Sequence, residues 1–229
     1  EANTEYIKYR SQIINSPNLI WDKVFATLKE PLTYRVECVG IIKVENDGHT
    51  LYVDKFEKAP KPIKYHENTN AMAEVPGYMV EKYSHYPGVF FFHTHPVHNE
   101  VFQLPSSADL ASAISRSYYG KFAGDVVICE YGAFVYGIDF PTMHNIRMSR
   151  NSDRAVVNFQ TDIVLGYESM RSWLKWSYDD LFEFMKKYGM YFFKFTNSAY
   201  VSDNRNTIIP QNLDENINIE LIRMFIDKQ

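Results

Sequence analysis

Cysteine is almost absent from this chain, with Cys38 and Cys129 the only two among 229 residues. Two thiols build neither a disulfide framework nor a cysteine-rich zinc site, and no Asn-x-Ser/Thr acceptor occurs, so nothing marks a secreted, cross-linked domain. A reducing, cytoplasmic compartment fits best. Long apolar runs are also missing; none approaches the roughly 20 residues of a membrane-spanning helix. The opening residues EANTEYIKYR lack a signal peptide's apolar centre, and a start at Glu1 rather than Met leaves room for residues before it. No block of Lys or Arg stands out, and a net charge of -4 with pI near 6.0 offers no field for phosphates. Neither nucleic acid nor a membrane is therefore expected as a partner. HExxH, GxGxxG opening a helix after a strand, GxxxxGK[ST] and GxSxG are all absent, which removes the zincin, dinucleotide, P-loop and α/β-hydrolase readings.

What is present is enough apolar mass for one large core: 45% hydrophobic residues, 16% of the chain aromatic. After the turn signal Ser16-Pro17-Asn18, the segment LIWDKVFATLKE spaces Leu19, Val24, Phe25 and Leu28 as an amphipathic helix. Residues 33–44 and 49–56, rich in β-branched side chains and separated by Asn46-Asp47-Gly48, read as a hairpin. Residues 70–85 are a weaker helical segment. Leu110, Ile114 and Tyr118 then repeat at helical spacing with Gly120 as the stop. GDVVICEYGAFVYGID reads as two strands around Gly132, and DRAVVNFQTDIVL as another. The remainder offers a helix with Leu174, Tyr178, Leu181 and Met185 on one stripe, the strand MYFFKFTN, the polar loop SDNRNT and a short terminal helix. Trp173, Trp176, Phe192, Phe193 and Phe195 in this part are expected in the core, with a protein-binding face as the alternative.

The stretch GVFFFHTHPVHNEVFQLPSSAD, residues 88–109, carries the chemistry. Side chains at i and i+2 of a strand share a face, so His93 and His95 converge on one point, and Pro96 ends the strand. Asp109, at the start of the next helix, supplies a carboxylate. Three such ligands with a fourth position left to water make the usual hydrolytic zinc site. Chemistry there needs a base to move the water's proton to a leaving group, and Glu37 is the candidate. Each piece has a structural alternative: paired histidines also occur as packing residues, and Ser106-x-x-Asp109 is equally a helix capping box. Their union in one stretch favours a metal site. His49, His66, His85 and His144 have no partner at a metal-site spacing and are read as surface or hydrogen-bonded residues.

Three elements in order, Glu37-Cys38-Val39-Gly40-Ile41-Ile42, His93-Thr94-His95-Pro96 and Ser106-Ser107-Ala108-Asp109, resemble the motif of the JAMM (JAB1/MPN/Mov34) zinc metalloproteases. The resemblance covers roughly residues 19–165. It implies that His93, His95 and Asp109 bind one Zn2+, that Glu37 is the general acid/base, and that Ser106 helps hold the oxyanion of the tetrahedral intermediate. Glu30 and Glu45 compete with Glu37 by proximity, but neither is followed by the Gly-aliphatic-aliphatic context. One departure is a loop between His95 and Ser106 a few residues longer than usual, carrying His98 and Glu100 as further groups able to approach the metal.

The expected architecture is α/β: a JAMM-like mixed sheet flanked by helices, of cytidine-deaminase-like layout. It is divided into an N-terminal extension (1–18), a metalloprotease-like domain (19–165) and a C-terminal α/β extension (166–229) packed on the core. The resemblance implies hydrolysis of isopeptide or peptide bonds, with ubiquitin or a ubiquitin-like modifier as substrate. Two alternatives stand beside it: a scaffolding component of a larger assembly that uses the domain for docking, and a peptidase acting on a cell-wall or precursor peptide.

Overall fold

The computed structural model describes residues 19–34, 36–47, 50–58, 82–83, 89–95, 104–120, 122–130, 132–171 and 178–197. Helix α1 (Asp22–Thr27) forms where expected and turns Val24 inward, with Trp21 and Leu28 buried at its two ends. A 3-10 turn (Pro31–Thr33) leads into the hairpin of β1 (Cys38–Val44) and β2 (Leu51–Lys58). Its turn is held by Asp47, whose carboxylate accepts the Thr50 amide hydrogen at 2.8 Å.

Strand β3 (Phe90–Thr94) lies antiparallel to β1 and parallel to β4 (Gly124–Cys129). The parallel pair requires a crossover, and α2 (Ser107–Tyr119) lies in it. Strands β5 (Gly132–Ile138) and β6 (Met190–Thr196) add antiparallel on the far side, giving one six-stranded mixed sheet in the order β2-β1-β3-β4-β5-β6. Strands β3, β4 and β5 are buried at every position, as strands covered on both faces must be.

Each face has its own cover. Phe90, Phe92, Val126, Ile128, Val135 and Phe193 pack with Trp21, Val24 and Leu28 on the α1 side. Val127, Phe134, Tyr136 and Phe192 pack on the other side against Leu110 and Ile114 of α2 and against the C-terminal helices. Those helices are α3 (Phe140–Met148), α4 (Ser152–Arg171) and α5 (Tyr178–Tyr188). Between α5 and β6 the chain turns at Gly189, whose φ of +92° is costly for any side-chain-bearing residue.

Two expectations need correction. DRAVVNFQTDIVL is not a strand but the middle of α4. The strand reading rested on its β-branched residues, yet Val156, Ile163 and Tyr167 recur at helical spacing and are all fully buried. Gln160, on the same stripe, satisfies its amide through Ala111 O at 2.8 Å and Ser115 Oγ at 2.6 Å on α2. Helix α3 was missed, although Asp139 caps it by accepting from Thr142 N at 2.8 Å and Pro141 occupies its first turn.

The 165/166 division falls inside α4, and β6, beyond it, completes the common sheet. Phe192 and Phe193 are buried and Phe195 partly so. Of the 70–85 helix only Lys82 and Tyr83 are described, both helical; Leu174, Trp173, Trp176, the SDNRNT loop and the terminal helix lie outside the described residues.

Candidate metal centre

The site forms where the parallel pair β3–β4 ends and α2 begins. His93 is the penultimate residue of β3, and His95 follows directly, its amide continuing the ladder to Ile128 O at 2.9 Å. Their rings therefore stay on one face. Thr94, turned to the other face, accepts the Cys38 amide hydrogen on its Oγ1 at 2.8 Å. That bond fastens the start of β1 to the end of β3 and brings Glu37 to the rim of the site.

Gly40 is the reason β1 approaches so closely. A Cβ there would run into Lys55 O and lie 2.7 Å from the Phe92 ring and 2.8 Å from Phe56 Cα. The glycine of the Glu-x-x-Gly element is thus a packing requirement of the strand that carries Glu37.

On α2, Ser106 is the N-cap in a complete capping box. Its Oγ accepts from Asp109 N at 3.1 Å, and Asp109 Oδ2 accepts from Ser106 N at 2.7 Å. The structural reading of Ser-x-x-Asp is correct, and so is the delivery of a carboxylate to the histidines. Asp109 Oδ2 lies 3.2 Å from His93 Nε2 and 3.3 Å from His95 Nε2, and the two Nε2 atoms are 3.1 Å apart. Ligands bound tetrahedrally at about 2.0–2.1 Å lie about 3.3 Å from one another. The three atoms therefore form a triangle the size of one face of a zinc-type tetrahedron, and His93, His95 and Asp109 form a group able to hold a metal ion.

Charge reinforces the cluster. Burial opposes protonation of His93, but the Asp109 carboxylate bonded to it, with Glu37 and Asp125 behind, outweighs burial and raises its pKa above 6.5. Burial acts against the Asp109 carboxylate too, yet its bonds to His93 and His95 hold its pKa far below the ordinary carboxylate range.

Beneath it lies a second polar layer. Asp125 on β4 is fully buried and takes Arg116 Nε on both oxygens, at 3.1 and 3.0 Å, and Arg116 Nη2 on Oδ2. The guanidinium also lies 4.3 Å from the Phe91 ring centroid. Removing one partner of a buried pair costs about 3–5 kcal/mol. Since Arg116 is on α2 and Asp125 on β4, the pair fixes the helix that carries Asp109 onto the strand beside His93.

Glu37 is half-buried, not among the three clustered ligands, and close enough to raise His93's affinity for its proton. The competitors are engaged elsewhere: Glu30 accepts from Tyr34 Oη at 3.1 Å, and Glu45 binds Lys23 at 2.5 Å. His98 and Glu100 lie outside the described residues, as do His49, His66 and His85, while His144 is exposed on α3. The Arg116–Asp125 pair was not anticipated. The one available signal was an aspartate inside the apolar run of β4, where an unpaired charge would be too costly.

Fold and cluster define a class: a mixed α/β protein with a His-His-Asp group at the end of its parallel strand pair. No family model and no solved structure matches the chain. The chain is similar to an uncharacterized protein of African swine fever virus. Identity is 26% over 200 residues in the Tick/Malawi isolate, 26% in the Pig/Kenya isolate and 25% in the Tick/South Africa isolate. Each match covers 86% of this chain and 62% of the relative, so the chain spans less than two thirds of the proteins it matches.

Proposed function

We propose that this protein is a zinc-dependent isopeptidase or peptidase of the JAMM type, with the fold of that family. The carrying observation is the triangle of His93 Nε2, His95 Nε2 and Asp109 Oδ2, with sides of 3.1–3.3 Å. Two imidazoles with one carboxylate favour zinc over magnesium or calcium, which prefer all-oxygen sites. Zinc held by these three residues would supply Lewis-acid activation, lowering the pKa of a water toward neutrality.

The chain's own residues do the rest. The Glu37 carboxylate accepts the proton lost by the attacking water and returns it to the leaving amine. Ser106 Oγ accepts the Asp109 amide hydrogen through a lone pair, which leaves its own hydrogen to donate to the developing oxyanion. The motif resemblance favours ubiquitin or a ubiquitin-like modifier as substrate. A cytoplasmic, reducing setting goes with this reading, since Cys38 and Cys129 are buried thiols.

A docking role within a larger assembly is the competing reading, favoured by the exposed Met148 of α3 and Val157 and Leu165 of α4. The deciding experiment is incubation of the zinc-loaded protein with a panel of ubiquitin chains, with and without chelator. Cleavage of at least one linkage, abolished by chelator and restored by zinc, is expected. Absence of cleavage across the panel would favour docking, and cleavage indifferent to chelator would remove the metal from the chemistry.

A further inference from the structure

The carbonyl of Pro105 and the amide N–H of Ser106 belong to one planar peptide unit, and both ends of that unit are held. At the amide end, Ser106 N donates to Asp109 Oδ2 at 2.7 Å. That oxygen is the one facing both imidazoles, 3.2 and 3.3 Å from their Nε2 atoms. At the carbonyl end, Tyr167 Oη donates to Pro105 O at 2.5 Å. Tyr167, on α4, is fully buried, and Pro105 is buried with it.

The next residue of α4 holds the next residue of the turn. The Glu168 carboxylate accepts the Ser107 hydroxyl hydrogen, so two consecutive residues of α4 fasten the residues on either side of Ser106. Tyr167 shares its apolar cluster with Leu104 and Leu110, which flank the turn. A phenylalanine would fill the same cluster; what the hydroxyl adds is the bond to Pro105 O. Both α4 residues lie beyond residue 165, outside the stretch whose motifs resemble the metalloproteases.

We propose that Tyr167 is a positioning residue for the metal centre, acting on Asp109 through the Pro105–Ser106 peptide, with Glu168 in support at Ser107. A hydrogen bond accepted by the carbonyl polarises the peptide and makes its N–H a stronger donor, because bonds in a chain reinforce one another in a low-dielectric interior. It also stops the planar unit from turning, which would swing the Ser106 amide away from the Asp109 carboxylate. Groups that orient a ligand from behind tune metal binding, and losing one typically weakens it about 10–100-fold. The inference rests on the metal reading above, and it makes α4 part of the site.

The test is Tyr167→Phe, which keeps the ring and removes the donor. In competition with a chromophoric chelator, the folded variant should bind zinc about 10-fold more weakly than wild type, and the visible spectrum of its cobalt-loaded form should shift as Asp109 loosens. Ile163→Val is the control. Ile163 is fully buried one turn earlier on the same face of α4, so the change loses packing without touching the hydrogen bond, and both readouts should keep their wild-type values. Glu168→Ala, at an exposed position, should shift the spectrum in the same direction and by less. A folded Tyr167→Phe with wild-type zinc affinity and cobalt spectrum overturns the inference while leaving the metal centre standing. So does an Ile163→Val that shifts both as far, because lost packing would then be enough. If Tyr167→Phe does not fold, Glu168→Ala decides, and wild-type values there overturn the inference. A wild-type protein that binds neither zinc nor cobalt removes the metal reading, and the inference with it.

Discussion

On the α1 side of the sheet the central strands present Phe90, Phe92, Val126, Ile128 and Val135, with Thr94 at the end of β3 the one polar residue of that row. On the side under α2 and α4, the same strands present His93, Asp125 and Tyr136 among Phe91, Val127 and Phe134. Buried polar groups cost stability unless fully paired, so the two faces have different uses. The first face supplies stability by apolar burial. The second gives up some of that burial to hold charge near the candidate metal, with His93 at the end of β3 and Asp125 one same-face position back, beside Phe91.

The sharpest way to test this division is to change one face and watch the other. Glu37→Gln keeps size and hydrogen bonding but removes the carboxylate proposed as the base. Turnover should fall about 100 to 10,000-fold, with zinc content and melting temperature unchanged; equal rates in variant and wild type would reject the assignment. The mirror experiment is Phe92→Ala on the apolar face, under Gly40 and against the α1 cluster. A loss of about 3–5 kcal/mol in chemical denaturation is expected, with zinc affinity of the folded protein unchanged. A large affinity loss would mean that the faces are coupled.

Ser106→Ala removes the observed helix cap and the proposed oxyanion donor together. Losing an oxyanion donor costs about 2.7–4 kcal/mol in turnover, and losing the cap costs about 1 kcal/mol in stability. Kinetics per folded molecule and melts on the same samples separate the two. Stability loss with unchanged turnover would leave Ser106 as a cap alone.

The pH dependence is the smallest expected effect. The folded pKa of His93 is raised above its unfolded value of about 6.5. In the metal-free protein its stabilisation is therefore fully present below pH 6.5 and is lost as pH rises through the folded pKa. Zinc needs the neutral imidazole, so the melting difference between zinc-loaded and chelated protein should widen over that window. A difference that stays flat would show that His93 is not the group exchanging its proton for the metal.

How much was legible in the sequence follows from the same division. The hairpin, β3 and α2 could be read because their signals are local: alternation, a turn, a cap, and apolar residues at helical spacing. The ligand set could be read for the same reason, since His93 and His95 share a strand face and Asp109 sits in its own capping box. Helix α4 could not, because Val156, Val157, Ile163 and Val164 suit a strand by propensity, and only packing against α2 settles the period. Asp125 could not be read because its partner Arg116 lies on a different element, the helix before β4, and only the packing of α2 on the sheet brings the two together.

The most direct measurement of the central claim is zinc content per chain, by elemental analysis, for the wild type and His95→Ala purified under the same conditions. About one zinc per wild-type chain is expected, since the His-His-Asp cluster supplies one ligand set, and most of it should be missing from His95→Ala. A wild-type chain that takes up no zinc, or a His95→Ala variant that keeps its full complement, would contradict the account.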